Sequence, residues 1–265
     1  MQKNRMLGVI GGGFMAHAIV SGAISSGFLA PEHIIVAEPD AQRRAAFSRL
    51  GALVTDDNRA AADGCRYLLL CVKPQTFPAV AEDLRNISLP VTISIMAGKT
   101  KQSIRRQAGA GAIARVMPNL PCSVGAGMAG IDSSELSDEE RDFVYALFGA
   151  VGKTVEVEES LLNAVTGISG SGPAYVYLFY RALVQAGVAE GLSQEQAQAL
   201  AAQTITGGME MLRVTKKTPD ELIAAVSSKG GTTVAALDRF AQDGFEQSVY
   251  RAVHAAVSRA EELSE

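Results

Sequence analysis

The sequence predicts an α/β N-terminal domain with a doubly wound parallel sheet over residues 1–159, followed by an all-α C-terminal domain over residues 160–265. Short apolar runs alternate with helical stretches in the first part, and strand-like runs stop after Glu159. Helix-start signals continue to the end of the chain. Apolar strands connected by helices are typical of parallel sheets that helices cover on both faces.

Short apolar runs predict the strands of the first part, at residues 6–10, 33–37, 67–72, 91–95, 112–116 and 154–157. The first run leads directly into three glycines, which indicates a tight strand-to-helix turn. Before the last run, Ser137 and Glu140 form a capping box that predicts the start of a helix.

The second part predicts helices. The stretch from Leu161 to about Ala186 is mostly apolar, so we expect a helix that is buried on several sides. Residues 166–175 interrupt it with glycines, each costing about 1 kcal/mol in a helix, and with Pro173, which predicts a kink. Either close backbone packing or an approaching ligand must offset this cost. Close helix–helix packing, which would suit a dimer interface, is the favoured reason. Capping boxes predict further helices after Ser193 and Thr218.

Composition limits the class of protein. The 265 residues are 48% hydrophobic and 20% charged with a net charge of −4, and the basic residues are scattered, which argues against a nucleic-acid partner. No apolar run is long enough to span a membrane, and no signal peptide is expected. The three cysteines lack metal-ligand spacing, so we expect no metal site and free thiols in a reducing cytoplasm.

The turn after the first predicted strand carries the pattern Gly11-x-Gly13-x-x-Ala16. The first glycine permits the turn, the second lets a pyrophosphate approach the backbone, and the small Ala16 lets the helix pack on the strand. The pyrophosphate then lies at a helix N-terminus, where N–H groups favour an anion. The sequence therefore predicts a Rossmann-type domain that binds NAD or NADP. We expect its contacts to come from Ile10, Gly11, Gly12, Gly13, Phe14 and Met15.

The choice of dinucleotide depends on the end of the second strand. Glu38 can accept a hydrogen bond from the ribose 2′-hydroxyl of NAD and would repel the 2′-phosphate of NADP. Arg43 and Arg44 follow and could pair with that phosphate, or could simply form an exposed basic helix face. These signals oppose each other, so the sequence leaves NADH and NADPH open.

Other strand ends are expected to contribute, because ligands of such sheets bind outside the carboxyl ends of the strands. Those ends carry Val72-Lys73-Pro74, Met96-Ala97-Gly98 and Met117-Pro118-Asn119. We expect Lys73 to contact ribose or phosphate, and Asn119 to lie near the nicotinamide. Ordinary loop chemistry is the alternative for each of them.

A second donor-rich loop, Ser227 to Thr233, lies between two predicted helices. Its glycines and threonines would present N–H and hydroxyl donors at a helix N-terminus, which is suitable for a carboxylate or phosphate. An ordinary helix cap is the commoner use of such residues.

Taken in order, the glycine loop, Cys71 to Pro74, Met117 to Asn119, Ser169 to Tyr175 and Ser228 to Thr233 resemble pyrroline-5-carboxylate reductase. The resemblance implies reduction of 1-pyrroline-5-carboxylate to L-proline with NADPH or NADH, the final step of proline biosynthesis. It also implies a helical dimerisation domain, a homodimer or higher oligomer, and an active site at the dimer interface. Lys229 stands where many members have Pro, and Glu38 where some have a small polar residue.

The resemblance also implies roles for individual residues. Gly11 to Met15, Asn58, Val72, Lys73 and Ala97 would contact the cofactor. Thr232 and Thr233 would hold the substrate, with Glu159 nearby, and Ser228 and Gly231 are also expected to bind it. As a mechanism, we expect the N–H groups of Gly231 and Thr232 to bind the substrate carboxylate. The Thr233 hydroxyl would hydrogen-bond to the ring nitrogen, which makes Thr233 the candidate catalytic residue. A protonated iminium accepts hydride readily, so no strong protein acid is expected.

A 3-hydroxyacid-type dehydrogenase and a non-catalytic NADPH-sensing regulator are the alternative functions. A 3-hydroxyacid-type dehydrogenase needs an acid–base group, usually a Lys on the first helix of the second domain, but residues 161–213 contain no Lys. A non-catalytic NADPH-sensing regulator would keep the glycine loop and have no use for residues 230–233. The three histidines lack a visible carboxylate or thiol partner and are not expected to be catalytic.

Overall fold

The computed structural model describes residues 5–263. The described residues form two compact units, one made of residues 5–171 together with 255–263, and the other made of residues 172–254. The first unit contains the sheet, and the second is helical.

The first unit is built on a single sheet of eight strands in the order β3-β2-β1-β4-β5-β6-β7-β8. The first six strands reproduce the doubly wound order of dinucleotide-binding folds. The strands are β1 (Arg5–Ile10), β2 (Ile34–Ala37), β3 (Leu53–Thr55), β4 (Cys65–Leu70), β5 (Val91–Ser94), β6 (Ile113–Met117), β7 (Gly127–Asp132) and β8 (Gly152–Glu156).

All neighbouring strands run parallel except β6 and β7, which pair antiparallel. The reason is the short connection between them, a 3-10 turn at Leu120–Val124. A parallel return needs a crossover of a dozen or more residues, and this connection is too short for one. The sheet therefore contains one antiparallel pair, whereas the sequence predicted a parallel sheet.

One predicted strand ends earlier than expected, and another begins later. Cys71 and Val72 leave the sheet, because β4 ends at Leu70 and the chain turns toward the ligand side. His33 belongs to a 3-10 turn, Pro31–His33, that precedes β2. Strands β3 and β7 were not predicted, since β3 has three residues and β7 carries two glycines.

Helices cover both faces of the sheet. They are α1 (Phe14–Ser25), α2 (Ala41–Arg49), α3 (Asn58–Ala62), α4 (Phe77–Leu84), α5 (Lys101–Ala108), α6 (Asp138–Gly149) and α7 (Leu162–Val165). The apolar side chains form one core on each face, around Ile19 and Leu147 on one side and around Phe77 and Ile104 on the other. The predicted capping box of Ser137 and Glu140 is present at the start of α6.

A π-helical turn, Thr166–Gly170, follows α7, and its signature bond joins the N–H of Ser171 to the carbonyl of Thr166 at 2.8 Å. The glycine-rich segment predicted to interrupt a helix therefore separates two helices. Pro173 lies in the first turn of the next helix, where its missing N–H costs nothing, so the predicted mid-helix kink does not occur.

The helices of the second part are α8 (Gly172–Ala189), α9 (Gln194–Thr215), α10 (Pro219–Val226), α11 (Thr232–Gln242) and α12 (Phe245–Glu262). Both predicted capping boxes are present, before α9 and α10. The expectation that the apolar stretch to Ala186 is buried on several sides does not hold in the single chain. Val184 is the buried residue of α8, while Val176, Tyr177, Leu178 and Phe179 are exposed. No helix within residues 5–263 has the length and hydrophobicity needed to cross a membrane.

Candidate active site

The glycine loop joins β1 to α1 as a tight turn. Gly11 has a φ of +95°, which other residues adopt only with strain, and a Cβ there would lie 2.9 Å from the carbonyl of Cys71. A Cβ on Gly13 would meet no atom within 4 Å, so this position opens onto free space. The first glycine therefore makes the turn, and the second keeps the start of α1 accessible to a ligand.

A cavity of about 480 Å³ lies over this loop. Its floor is the start of α1, where the first backbone N–H groups of a helix have no partner within the helix. Lys73 and Arg43 bring positive charge to its walls. The lining residues are Gly12, Gly13, Phe14, His17, Arg43, Ala46, Phe47 and Lys73. Helix N–H groups and cations in one cavity fit the pyrophosphate of a dinucleotide.

His17 lines this cavity, and sequence reasoning gave it no role there. Its ring meets the edge of Phe47 with centroids 5.4 Å apart. His17 lies one turn into α1, directly after the glycine loop, and this spacing was the signal that could have placed it at the cavity.

Glu38 follows β2 and is almost entirely buried, with 5% of its surface exposed. Its carboxylate accepts the backbone N–H of Gly12 at 2.7 Å and that of Asp40 at 3.0 Å. A carboxylate held by two N–H groups is fixed in place and ties the glycine loop to the end of β2. The sequence placed Glu38 beside the ribose and could not show this bond to the loop.

The two arginines near Glu38 differ in what they contact. Arg44 donates to the carbonyls of Glu38 at 2.6 Å and Pro39 at 2.7 Å, so its guanidinium is engaged with the backbone. Arg43 is exposed, and its guanidinium lies 3.9 Å from the Glu38 carboxylate. Only Arg43 of this pair lines the cavity.

The remaining predicted cofactor residues lie at or below the carboxyl ends of the strands. The Ile10 side chain is buried in the core, and its carbonyl accepts the N–H of Cys71 at 2.8 Å, so it supports the loop from beneath. Val72, Lys73 and Pro74 follow β4, and Ala97 follows β5. Asn58 begins α3, and its amide donates to Asp83 at 2.9 Å.

Asn119 follows β6 and uses both ends of its amide within the protein. Its oxygen accepts the N–H of Met128 at 2.9 Å, and its nitrogen donates to the Ser169 hydroxyl at 3.2 Å. These bonds join the end of β6 to β7 and to the π-helical turn. In the structure Asn119 holds this corner together. Its expected place near the nicotinamide stays a prediction.

A buried cluster of charges lies below the loops that follow β5 and β6. The Lys101 ammonium pairs with Asp132 at 2.8 Å, and both side chains are only 6% exposed. Arg115, also buried, donates to the carbonyl of Met96 at 3.0 Å and lies 3.4 Å from Glu159. Glu159 accepts the backbone N–H of Lys101 at 2.6 Å. Glu159 therefore connects the segment that follows β8 to α5 and β6.

Sequence reasoning did not single out Arg115, Lys101 or Asp132. A signal existed for Arg115, because an arginine inside a run of apolar residues must find a partner if that run becomes a buried strand. Burial lowers the pKa of Arg115, and the charges of Glu159 and Asp132 oppose this shift. Burial raises the pKa of Asp132, but hydrogen bonds from Lys101 and Ser134 outweigh it and leave the pKa lowered.

The three cysteines are free, and burial raises the pKa of each thiol, to about 11 for Cys65. A thiol with such a pKa stays protonated at neutral pH and is a poor nucleophile. Among residues 5–263, no group of three or more His, Cys, Asp or Glu side chains is arranged to hold a metal ion.

The second donor-rich loop lies in the helical unit, between α10 and α11. Gly230 has a φ of +72°, and Gly231 is the N-cap of α11. The N–H of Gly231 donates to the carbonyl of Ser228 at 2.9 Å, so this group closes the turn and is not the free donor the sequence suggested. The first N–H groups of α11, beginning with Thr232, are the donors that a helix start leaves available.

The fold and the glycine loop define a dinucleotide-binding Rossmann unit joined to a helical unit. Two family models match the chain, "NADP oxidoreductase coenzyme F420-dependent" at residues 6–98 and "Pyrroline-5-carboxylate reductase dimerisation" at residues 159–263. The pyrroline-5-carboxylate reductase of Synechocystis is 43% identical to it, over 97% of the chain and 97% of that relative. The one of Corynebacterium melassecola is 38% identical, over 97% of the chain and 98% of that relative. The chain belongs to the pyrroline-5-carboxylate reductase family, as its motifs predicted.

Solved structures agree with this assignment. A pyrroline-5-carboxylate reductase from Coxiella burnetii superposes with a TM-score of 0.89 at 32% identity, over 99% of both chains. The Plasmodium falciparum enzyme, solved with NADP bound, also gives 0.89, at 29% identity over 99% of both chains. A prephenate dehydrogenase from Aquifex aeolicus, at 14% identity and a TM-score of 0.54, shares the fold alone.

Proposed function

We propose that this protein reduces the C=N bond of 1-pyrroline-5-carboxylate to L-proline with NADH or NADPH, the final step of proline biosynthesis. The observation that carries the proposal is the cavity over the start of α1, with Lys73 on its wall, in a chain of this family. A 3-hydroxyacid-type dehydrogenase and a non-catalytic NADPH-sensing regulator lose support, because the family match extends through the helical part, at residues 159–263.

The cofactor is proposed to lie along the carboxyl ends of β1, β4 and β5. The N–H groups at the start of α1 would hold the pyrophosphate, and Lys73 would add a positive charge to it. Val72, Pro74 and Ala97 would line the nicotinamide side. Asn119 and Asn58 would act mainly by fixing these loops, since both amides bond within the protein. When bound, the reduced nicotinamide supplies the hydride.

The substrate is proposed to bind at the Ser228 to Thr233 loop. The first N–H groups of α11 and the hydroxyls of Ser228 and Thr232 would hold its carboxylate, while Gly231 shapes the turn. Thr233, which is half-buried, would hydrogen-bond to the ring nitrogen and orient the imine carbon. The ring nitrogen carries the proton as an iminium, so the protein need not donate one.

Glu159 is proposed to support substrate binding by holding the start of α5 and Arg115 in place. We also propose that the functional division of the chain follows the boundary between residues 159 and 160, and that the enzyme works in the cytoplasm.

Self-association through the helical part is supported by the matched dimerisation model and by the exposed apolar side chains of α8 and α9. Exposed apolar side chains that form a surface patch are typical of an interface. We propose a homodimer or higher oligomer whose active sites lie at the interface between subunits.

The test follows nucleotide oxidation and proline formation with 1-pyrroline-5-carboxylate as substrate. We expect Thr233→Ala to lower kcat/KM at least about tenfold, the usual cost of one lost hydrogen bond to a charged group. Thr215→Ala, an exposed threonine at the end of α9, is the matched control and should leave turnover unchanged. Absence of proline with the wild-type protein would refute the function, and unchanged turnover would remove Thr233 from it.

A further inference from the structure

The carboxylate of Glu38 lies at the place where dinucleotide-binding folds recognise the adenosine ribose, at the end of β2 beside the glycine loop. Its two hydrogen bonds to Gly12 and Asp40 fix the orientation of the group and secure it against rotation out of the site. Each oxygen uses one lone pair in these bonds and keeps another for a hydroxyl donor. The group is therefore prepared to accept a hydrogen bond from a ribose hydroxyl.

The two arginines near Glu38 are engaged to different extents. Arg44 donates to two backbone carbonyls of the same loop. Arg43 lies 3.9 Å from the Glu38 carboxylate, so its charge is partly compensated before any ligand arrives. Asp40, exposed at the start of α2, adds a second negative charge close by. A dianionic 2′-phosphate would thus meet two carboxylates and a single available guanidinium.

We propose that this enzyme prefers NADH to NADPH, and that Glu38 determines the preference. The inference rests on the proposed function for the presence of a nicotinamide cofactor, and it adds which one. Glu38 would accept the ribose 2′-hydroxyl of NADH and repel the 2′-phosphate of NADPH.

The expected size of the preference is at least about tenfold in Kd. Like charges that lie close together repel each other at the effective dielectric of a protein surface, and the single contact with Arg43 offsets part of this repulsion. The repulsion should weaken as salt screens it.

The experiment titrates NADH and NADPH into the full-length protein and measures the two Kd values, without substrate or turnover. Glu38→Gln keeps an oxygen that can accept a backbone N–H and removes the charge. Glu32→Gln is the matched control, because Glu32 is exposed in the turn that precedes β2, at the opposite end of the same strand. The ratio of kcat/KM values for the two nucleotides is the second readout.

We expect the wild-type protein and Glu32→Gln to bind NADH at least about tenfold more tightly, and Glu38→Gln to bring the two Kd values within about threefold. Tighter binding of NADPH by the wild type would overturn the inference even if no variant folds. An unchanged ratio in folded Glu38→Gln would also overturn it. If both nucleotides bind but no proline forms, the proposed function fails while the ratio still decides the preference. If neither binds, both proposals fail.

Discussion

Replacing Lys101 by Met removes one partner of the buried ion pair with Asp132. Both side chains are only 6% exposed, and the ammonium and carboxylate lie 2.8 Å apart. Breaking such a pair by removing one partner costs about 3–5 kcal/mol, because the other charge stays buried without compensation. The N–H and hydroxyl of Ser134 still donate to Asp132, so we expect the lower end of that range, about 3 kcal/mol.

The matched control is Arg105→Met. Arg105 also lies on α5 and pairs with Glu135 at 2.6 Å, but 46% of its side chain is exposed. Exposed pairs contribute about 0–1 kcal/mol, so this variant should remain within about 1 kcal/mol of the wild type. The contrast between the two variants isolates burial, since both remove a cation from the same helix.

Urea unfolding followed by circular dichroism, at one fixed protein concentration, measures the difference in the free energy of unfolding. The fixed concentration matters because self-association raises apparent stability. In the double variant Lys101→Met/Asp132→Leu, where no buried charge is left unpaired, part of the loss should be recovered. The reasoning fails if Lys101→Met and Arg105→Met lose equal stability.

Two further predictions concern pH and the glycine loop. The pKa of Asp132 is lowered in the folded protein. Its contribution to the free energy of unfolding is therefore present above its ordinary pKa of 3.8 and is lost as the pH falls below that value. Asp132→Asn should flatten this part of the stability–pH curve in acid unfolding, and an unaltered curve would contradict the assignment. Gly11→Ala places a Cβ 2.9 Å from the Cys71 carbonyl at a φ of +95°. It should lower the free energy of unfolding by about 1–3 kcal/mol and weaken nucleotide binding. Gly27→Ala, at a φ of +75° with no atom within 4 Å, should lower stability alone. Calorimetry and nucleotide titration separate the two effects, and equal binding by both variants would refute the proposed role of Gly11.

Features that depend on nearby residues could be predicted from the sequence. The glycine loop, the capping boxes before α6, α9 and α10, and most strands of the sheet are local patterns of spacing and residue type. The short strand β3 and the glycine-containing strand β7 were missed because their stability comes from neighbouring strands. The antiparallel direction of β7 follows from the short connection between β6 and β7. That direction could not be predicted, because β7 itself was not predicted from the sequence.

Partners that are distant in the chain could not be predicted. The bonds of Glu38 to Gly12, of Asn119 to Ser169 and of Lys101 to Asp132 join residues 26, 50 and 31 positions apart. The sequence correctly identified Glu38 and Asn119 as polar groups at strand ends, but it could not show that their polar atoms are used within the protein. The N–H of Gly231 is used in a local turn, where it donates to the carbonyl of Ser228. The pattern of glycines did not indicate this bond.

The most direct test of the central claim is the fate of a label. Wild-type protein is given 1-pyrroline-5-carboxylate and NADH carrying deuterium in place of both hydrogens at nicotinamide C4, and the product is examined by mass spectrometry and NMR. The account predicts L-proline with one deuterium on the ring carbon that was the imine carbon. Proline without deuterium at that carbon, or no proline at all, would contradict it.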